Sequence, residues 1–167
     1  MHIEVITATP KDNLRVARLL QLYEHDSSEF FGADVAPDGL YRVMDIEALW
    51  QPGWHTFLVK VDDQLAGFAF VTRHQSYLGD DETYLMVEFF IMRKYRRQGV
   101  GEYVACTLFD RFPGRWEVSE WPTNFGAHAF WRRVIGRYTY GRFHEADLDT
   151  PRLRGLVQSF ESANKGT

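Results

Sequence analysis

The stretch from Tyr84 to Tyr103, YLMVEFFIMRKYRRQGVGEY, does most to limit what this chain can become. An apolar run of strand character meets a group of cations, among them Lys94, Arg96 and Arg97, and then two glycines one residue apart. Beyond Gly99 the spacing turns helical, with Val100, Val104, Leu108 and Phe112 repeating every fourth residue. A strand is therefore handed to a helix through a cationic, glycine-bearing loop. A plain turn needs neither the cations nor the second glycine. Glycine lets a backbone approach a ligand closely, and a helix N-terminus carries unpaired N–H groups that attract phosphate. The loop is not a Walker motif, because no Gly-Lys-Ser/Thr follows, and Val104 stands where a dinucleotide fingerprint needs glycine or alanine. Taken alone, the stretch also fits a basic surface turn.

The flanking chain supplies a sheet for this unit. Residues 2–7 alternate as a strand, and Thr9-Pro10 marks a helix start whose Val16, Leu19, Leu20 and Tyr23 share one face. Residues 25–40 are polar and turn-rich and predict a loop, with a second short helix over 45–50. Residues 54–61 and 65–74 read as a hairpin around the turn 62–64. A turn at 79–82 leads into a strand over 83–92, and Phe112-Pro113-Gly114 ends the helix that starts at Gly99. Residues 115–121 predict a strand and 122–136 a helix, on which Ala127, Phe130, Trp131, Val134 and Ile135 share a face and Gly136 ends it. Residues 137–146 and 154–160 close the chain as a strand pair. The expectation is one mixed α/β domain over 1–167, its sheet mostly antiparallel with a single strand-helix-strand crossover.

Composition narrows the function classes. With 45% hydrophobic residues the 167-residue chain can bury a sizeable core. A net charge of −4 argues against a nucleic-acid partner, and no run approaches the ~18 apolar residues of a membrane span. The lone Cys106 excludes a disulfide framework and a cysteine-based zinc site, and no metal is expected. The N-terminus MHIEVITATP lacks signal-peptide character, so a cytoplasmic protein is the default, and a homodimer is left open.

The order apolar strand, RRQGVG, amphipathic helix, strand and NFGAHAFWRRVIG resembles the GNAT superfamily of acyl-CoA-dependent N-acetyltransferases. That family's phosphate loop, Arg/Gln-x-x-Gly-x-Gly/Ala, is matched by Arg96, Gly99 and Gly101. Its later helix, Asn-x-x-Ala-x-x-aromatic-Tyr-x-x-x-Gly, is matched at near-family spacing by Asn124, Ala127, Phe130 and Gly136. The stretch EFFIMRKYRRQGVG is also similar to the superfamily's predicted-acetyltransferase branch. The likeness is strong over residues 84–141 and extends to residues 1–80 only in the order of elements.

The resemblance implies a sheet with splayed middle strands flanked by about four helices, and acetyl-CoA as co-substrate. The backbone N–H groups of Arg97, Gln98, Gly99, Val100 and Gly101 would hold the coenzyme A pyrophosphate, with Arg96 beside them. The strand edge at Phe90, Ile91 and Met92 would pair with the pantetheine amides. Asn124 would contact the cofactor arm, and the thioester would sit between the strands at 84–92 and 115–121. One position departs: the family's tyrosine facing the departing thiolate is Trp131 here, and an indole N–H cannot serve as a general acid. Trp131 either borders the cofactor or simply packs.

An acetyl transfer to an amine needs a base, because only the neutral amine attacks. Glu88 interrupts the apolar strand beside the expected thioester, where desolvation would raise its pKa. A glutamate on a solvated face, or one paired with an arginine, would look the same in sequence. His25, Asp26 and Glu29 fall where this fold builds its acceptor wall, and Tyr23, Tyr41 and Trp50 could floor the cleft or pack in the core. His128 reads as solvated, Cys106 as helix packing, and Asp80, Asp81 and Glu82 as a turn. The leading expectation is an N-acetyltransferase that moves acetyl to a primary amine of a small molecule or peptide by direct attack in a ternary complex. A non-catalytic acyl-CoA sensor on the same fold and a phosphate-ester-binding regulator are the alternatives.

Overall fold

Residues 54–61 and 64–73 are joined by Asp62 and Asp63, whose left-handed φ angles of 47° and 64° close a tight hairpin. The computed structural model describes residues 1–73, 76–80 and 82–162, so the expected strand and turn positions His74 and Asp81 lie outside the described residues. Seven strands, β1 (Ile3–Thr7), β2 (Trp54–Val61), β3 (Gln64–Arg73), β4 (Tyr84–Ile91), β5 (Gly114–Glu120), β6 (Phe143–Asp149) and β7 (Arg154–Ser162), form one sheet. Their order is β1-β2-β3-β4-β5-β7-β6. Every described pair is antiparallel except β4–β5. Helices α1 (Asn13–Phe31), α2 (Val100–Arg111) and α3 (Phe125–Tyr138) cover the two faces, and the expected short helix is a 3₁₀ turn at Ile46–Trp50.

Two apolar layers sandwich the sheet. One holds Val71, Met86, Trp116 and Val118 against α2 and α3, with Val104, Phe109, Trp131 and Ile135. The other holds Phe68, Phe70 and Phe90 against Val16, Leu19 and Leu20 of α1. These are the residues whose helical and period-two spacing is visible in the sequence.

Two boundaries differ from expectation. Residues 25–31 are the last turns of α1, not loop. Nothing in HDSSEFF breaks a helix, and the stop is Gly32, whose φ of 66° and N–H bond to the Ser28 carbonyl cap it. Tertiary contacts hold that last turn: the Thr123 hydroxyl donates to the Phe30 carbonyl, and the Phe31 ring lies 5.5 Å from Trp121. Likewise α3 runs through Gly136 to Tyr138, so residues 137 and 138 are helical and β6 begins only at Phe143. Gly136 is not among the glycines with a left-handed φ, so it continues the helix instead of ending it. The reversal falls at Tyr140 and Gly141, with φ of 54° and 80°.

Gly67 of β3 lies tight against β4, where an added Cβ would lie 1.9 Å from the Phe90 carbonyl oxygen. Backbone cannot yield as a side chain can. Gly67→Ala is expected to cost about 3 kcal/mol, the upper end for overpacking, lowering Tm by roughly 6–12 °C for a chain of this size. A calorimetric melt superimposable on wild type would contradict this packing.

Candidate active site

β4 and β5 pair only at Tyr84–Met86 with Trp116–Val118. Beyond that short ladder the strands part, leaving residues 87–91 and 119–120 as the two legs of a fork. The expected splay is therefore present.

A bulge lies where the fork opens. Phe70 faces Glu88 and Val71 faces Met86, so Val87 is an extra residue in β4. A bulge re-aims side chains, and here it reverses the alternation: Met86 lies in the α2–α3 layer, whereas Phe90 lies in the α1 layer. Glu88 follows Phe90 onto the α1 face. Without the extra residue its carboxylate would enter the α2–α3 core.

α1 brings Tyr23 to meet it. The tyrosine continues the Val16, Leu19, Leu20 stripe, and its ring stands edge-on to Phe68 and Phe90 at 5.6 and 5.7 Å. Its hydroxyl donates to Glu88 Oε2. Burial holds the phenol protonated, its pKa raised far above the ordinary range, so it acts only as a donor in this pair. Burial also pushes the Glu88 carboxyl up to about 7; the Tyr23 hydrogen bond opposes the shift and the Glu24 charge adds to it. Glu88 forms no ion pair among the described residues, so neither a salt bridge nor a fully solvated face accounts for it.

The cationic loop has divided duties. The Arg96 Nε donates to the Ile91 carbonyl at 2.6 Å, and its guanidinium also grips Asp26. Arg93 binds the same carboxylate at 2.8 Å. These bonds clip the C-terminal half of α1 to the end of β4, so Arg96 and Asp26 brace the start of the loop. Arg97 has a left-handed φ of 61° and Gly99 one of 83°, directly before α2. A Cβ at Gly99 would meet nothing within 4 Å, whereas one at Gly101 would press on the Phe130 ring at 3.1 Å. The two glycines thus differ: Gly99 keeps the loop surface open, and Gly101 lets α2 pack on α3. Gln98 donates to the Lys94 carbonyl, and Val100 is fully buried beneath the loop.

Other expected positions are equally specific. The Met92 N–H is bonded to the Ala66 carbonyl and its carbonyl to the Tyr95 N–H, so it offers no strand edge. With the Ile91 carbonyl occupied by Arg96, the edge bordering the fork is at residues 87–90. Asn124 caps α3 through the Ala127 N–H at 3.0 Å. Trp131 is 5% exposed and packs on Phe89 and Phe130, both at 4.9 Å, over the β4 leg. Trp50 bonds Asn13, the Tyr41 hydroxyl lies 3.2 Å from His25 Nδ1, His128 lies 3.0 Å from the Trp121 carbonyl, and Cys106 packs beside the α2–α3 core.

Sequence reasoning passes over two carboxylates of β5. Glu117 accepts from the Ser76 hydroxyl at 2.6 Å and the Tyr77 N–H at 2.7 Å, anchoring the loop at 76–80. Arg152 donates to the Ser76 carbonyl and ties the β6–β7 turn to that loop. Glu120 is the second. In GRWEVSE its position continues the Trp116, Val118 stripe, and that break in pattern is the available signal.

A forked sheet with a bulged, glutamate-bearing strand running into a glycine loop and helix meets its family here. The Acetyltransferase (GNAT) family model matches residues 19–136. The chain belongs to the GNAT acetyltransferase family. Its fold is shared with an acetyltransferase from Thermus thermophilus, at TM-score 0.71 and 17% identity over 96% of this chain and 97% of the other. The ribosomal-protein-S18-alanine N-acetyltransferase of Escherichia coli superposes at TM-score 0.65 and 14% identity, covering 99% and 97%. A histone acetyltransferase HPA2 and related acetyltransferase from Corynebacterium glutamicum does so at 0.70 and 14%, covering 98% of each. A search of curated protein sequences gives no significant match. This GNAT protein is an acetyltransferase, of a family that takes its acyl group from acetyl-CoA. No helix among its described residues is long and apolar enough to cross a membrane.

The Glu88 carboxyl holds its proton to about pH 7 in the folded enzyme, against an ordinary value of 4.5. Stability conferred by the neutral form is therefore complete below that ordinary value and is lost as pH rises through about 7. Glu88→Gln is expected to melt with wild type near pH 5 and above it near pH 8. A variant that melts lower at both would contradict the assigned environment.

Proposed function

We propose that this GNAT enzyme acetylates a primary amine of a small molecule or peptide, by direct attack on acetyl-CoA within a ternary complex. Glu88 carries the reading. It is a half-buried carboxylate at the mouth of the fork, titrating near neutrality, with Tyr23 fixing its orientation. Such a group can take a proton from an ammonium at physiological pH, which an ordinary surface glutamate does poorly.

The remaining roles follow from position. The backbone N–H groups of Arg97 to Gly101 would receive the pyrophosphate at the N-terminus of α2, over the open surface that Gly99 preserves. The β4 edge at 87–90 would pair with the pantetheine amides, and Asn124 would border that arm. The amine would enter from the α1 face, beside Tyr23, Glu24 and Glu88, between walls braced by Asp26 and Glu117. Glu88 would accept the ammonium proton, directly or through water, and the freed lone pair would attack the thioester carbon. The acidic surroundings of this entry suit a cationic acceptor.

Three experiments test the reading. Acetyl-CoA mixed with a panel of primary amines should give amine-dependent thiol release, rising with pH through about 7. Glu88→Gln should lower turnover by about 10²-fold, the low end for a general base because water can substitute, with acetyl-CoA affinity unchanged. Coincident pH–rate profiles for the two proteins would remove Glu88 as the base. Gly99→Val should weaken coenzyme A binding at least about tenfold, or ~1.4 kcal/mol, through side-chain bulk and the strain of a left-handed position. Calorimetry showing unchanged affinity in the folded variant would refute the loop assignment.

A further inference from the structure

β5 carries a carboxylate where its pattern calls for an apolar side chain. Trp116 and Val118 point into the layer beneath α2 and α3, and strand alternation puts Glu120 on that same face. Val118 is the last β5 residue paired with β4, so Glu120 stands on the β5 leg of the fork. Glu88 stands on the other leg and faces α1. The two carboxylates thus flank one gap from opposite faces of the sheet.

Glu120 is 5% exposed, and neither of its carboxylate oxygens has a hydrogen-bond partner. Gln158 of β7 pairs with Val118, diagonal to Glu120, and is fully buried with its Oε1 also lacking a donor. Three buried acceptors without a donor are costly, above all if one group is ionised. The charged neighbours do little to relieve this. On β6, Glu145 takes the Arg132 guanidinium of α3 at 3.0 and 2.8 Å and the Gln158 amide at 3.4 Å, and His128 of α3 also acts on Glu145. Burial first and the Glu145 charge second push the Glu120 carboxyl up to about 8, with Arg132 opposing. The neutral acid is the form these surroundings favour.

The N-terminus of α2 lies on the Glu120 side of the sheet, whereas the proposed amine entry lies on the Glu88 side. A thioester in the gap therefore has its amine-facing side toward Glu88 and its cofactor-facing side toward α3. The α3 residue at the position of the family's tyrosine is Trp131, which packs on Phe89 and has no acidic proton to give. We propose that Glu120 is the acid of the acetyl transfer, its protonated carboxyl passing a proton to the coenzyme A sulfur as the C–S bond breaks. This rests on the amine-acetylation reading above.

The step balances without a further reactant. The C–N bond forms as the amine lone pair adds to the acetyl carbon, and the C–S electron pair leaves with sulfur. The substrate ammonium gives up two protons in becoming an amide. Glu88 accepts them in turn and passes them to water. Glu120 gives one proton to sulfur and recovers one from water after the thiol departs, so each turnover releases one proton net.

The test is a set of pH–rate profiles for wild type and E120Q, with saturating acetyl-CoA and an amine that wild type acetylates. Wild type should give a bell whose rising limb is near 7 and falling limb near 8. E120Q keeps the shape of the neutral acid, so it should melt with wild type near pH 7 and bind coenzyme A equally. Its turnover should drop about 10²-fold and its falling limb should vanish. A ¹³C NMR titration of the Glu120 carboxyl gives a readout independent of turnover, and should show a midpoint near 8. An E120Q profile that superimposes on wild type, or a carboxyl titrating near its ordinary 4.5, would overturn the assignment while leaving amine acetylation standing. Failure of wild type to acetylate any amine would overturn both readings together.

Discussion

The extra residue at Val87 reverses the side-chain alternation of β4 part-way along its length. Before it, even-numbered residues face α2 and α3; after it, they face α1. The bulge coincides with the end of β4–β5 pairing, so the fork and the re-aimed Glu88 arise at one point in the chain. Gly67 belongs to the same device, since only a residue without a side chain lets β3 follow β4 this closely past the bulge. The apolar layers on either side then fix what each leg can touch. Phe89 goes to Trp131 on one side, and Glu88 goes to Tyr23 on the other.

Low polarity turns this geometry into chemistry. A buried carboxyl loses more by ionising than one in water, and its pKa climbs toward the working pH. Burial pushes both Glu88 and Glu120 up toward neutrality, with Glu24 adding at the first and Glu145 adding at the second. Rigid clasps hold the walls. Asp26 binds Arg93 and Arg96 on the loop side, while Glu117 gathers Ser76 and Tyr77 on the other, so little need be reorganised as a substrate arrives.

Much of this is legible in the sequence, and the gaps have physical causes. Strand and helix periods reveal every major element, because burial on one face leaves a countable pattern. The loop at 96–101 is legible from its cations and glycines, and Glu88 from its place in an apolar run. The bulge is not, since VEFF reads the same whether or not Val87 is paired, and with it goes the face on which Glu88 lies. Gly99 and Gly101 look alike in sequence because the ring of Phe130, which separates their roles, arrives from a later helix. The polar tail of α1 reads as loop because its stop signal, Gly32, sits among residues that suit turns equally well. Tyr23 is visible as a stripe residue, but its partner lies 65 positions away in the chain.

The central claim is that the fork holds Glu88 on the α1 face with a carboxyl that titrates near neutrality. A ¹³C NMR titration of glutamate-labelled protein, with the Glu88 signal assigned by its loss in Glu88→Gln, measures this directly. The account predicts a midpoint near 7 in the wild-type enzyme. A midpoint near the ordinary 4.5 would contradict it, because Glu88 would then be a solvated carboxylate with no special claim to the amine's proton.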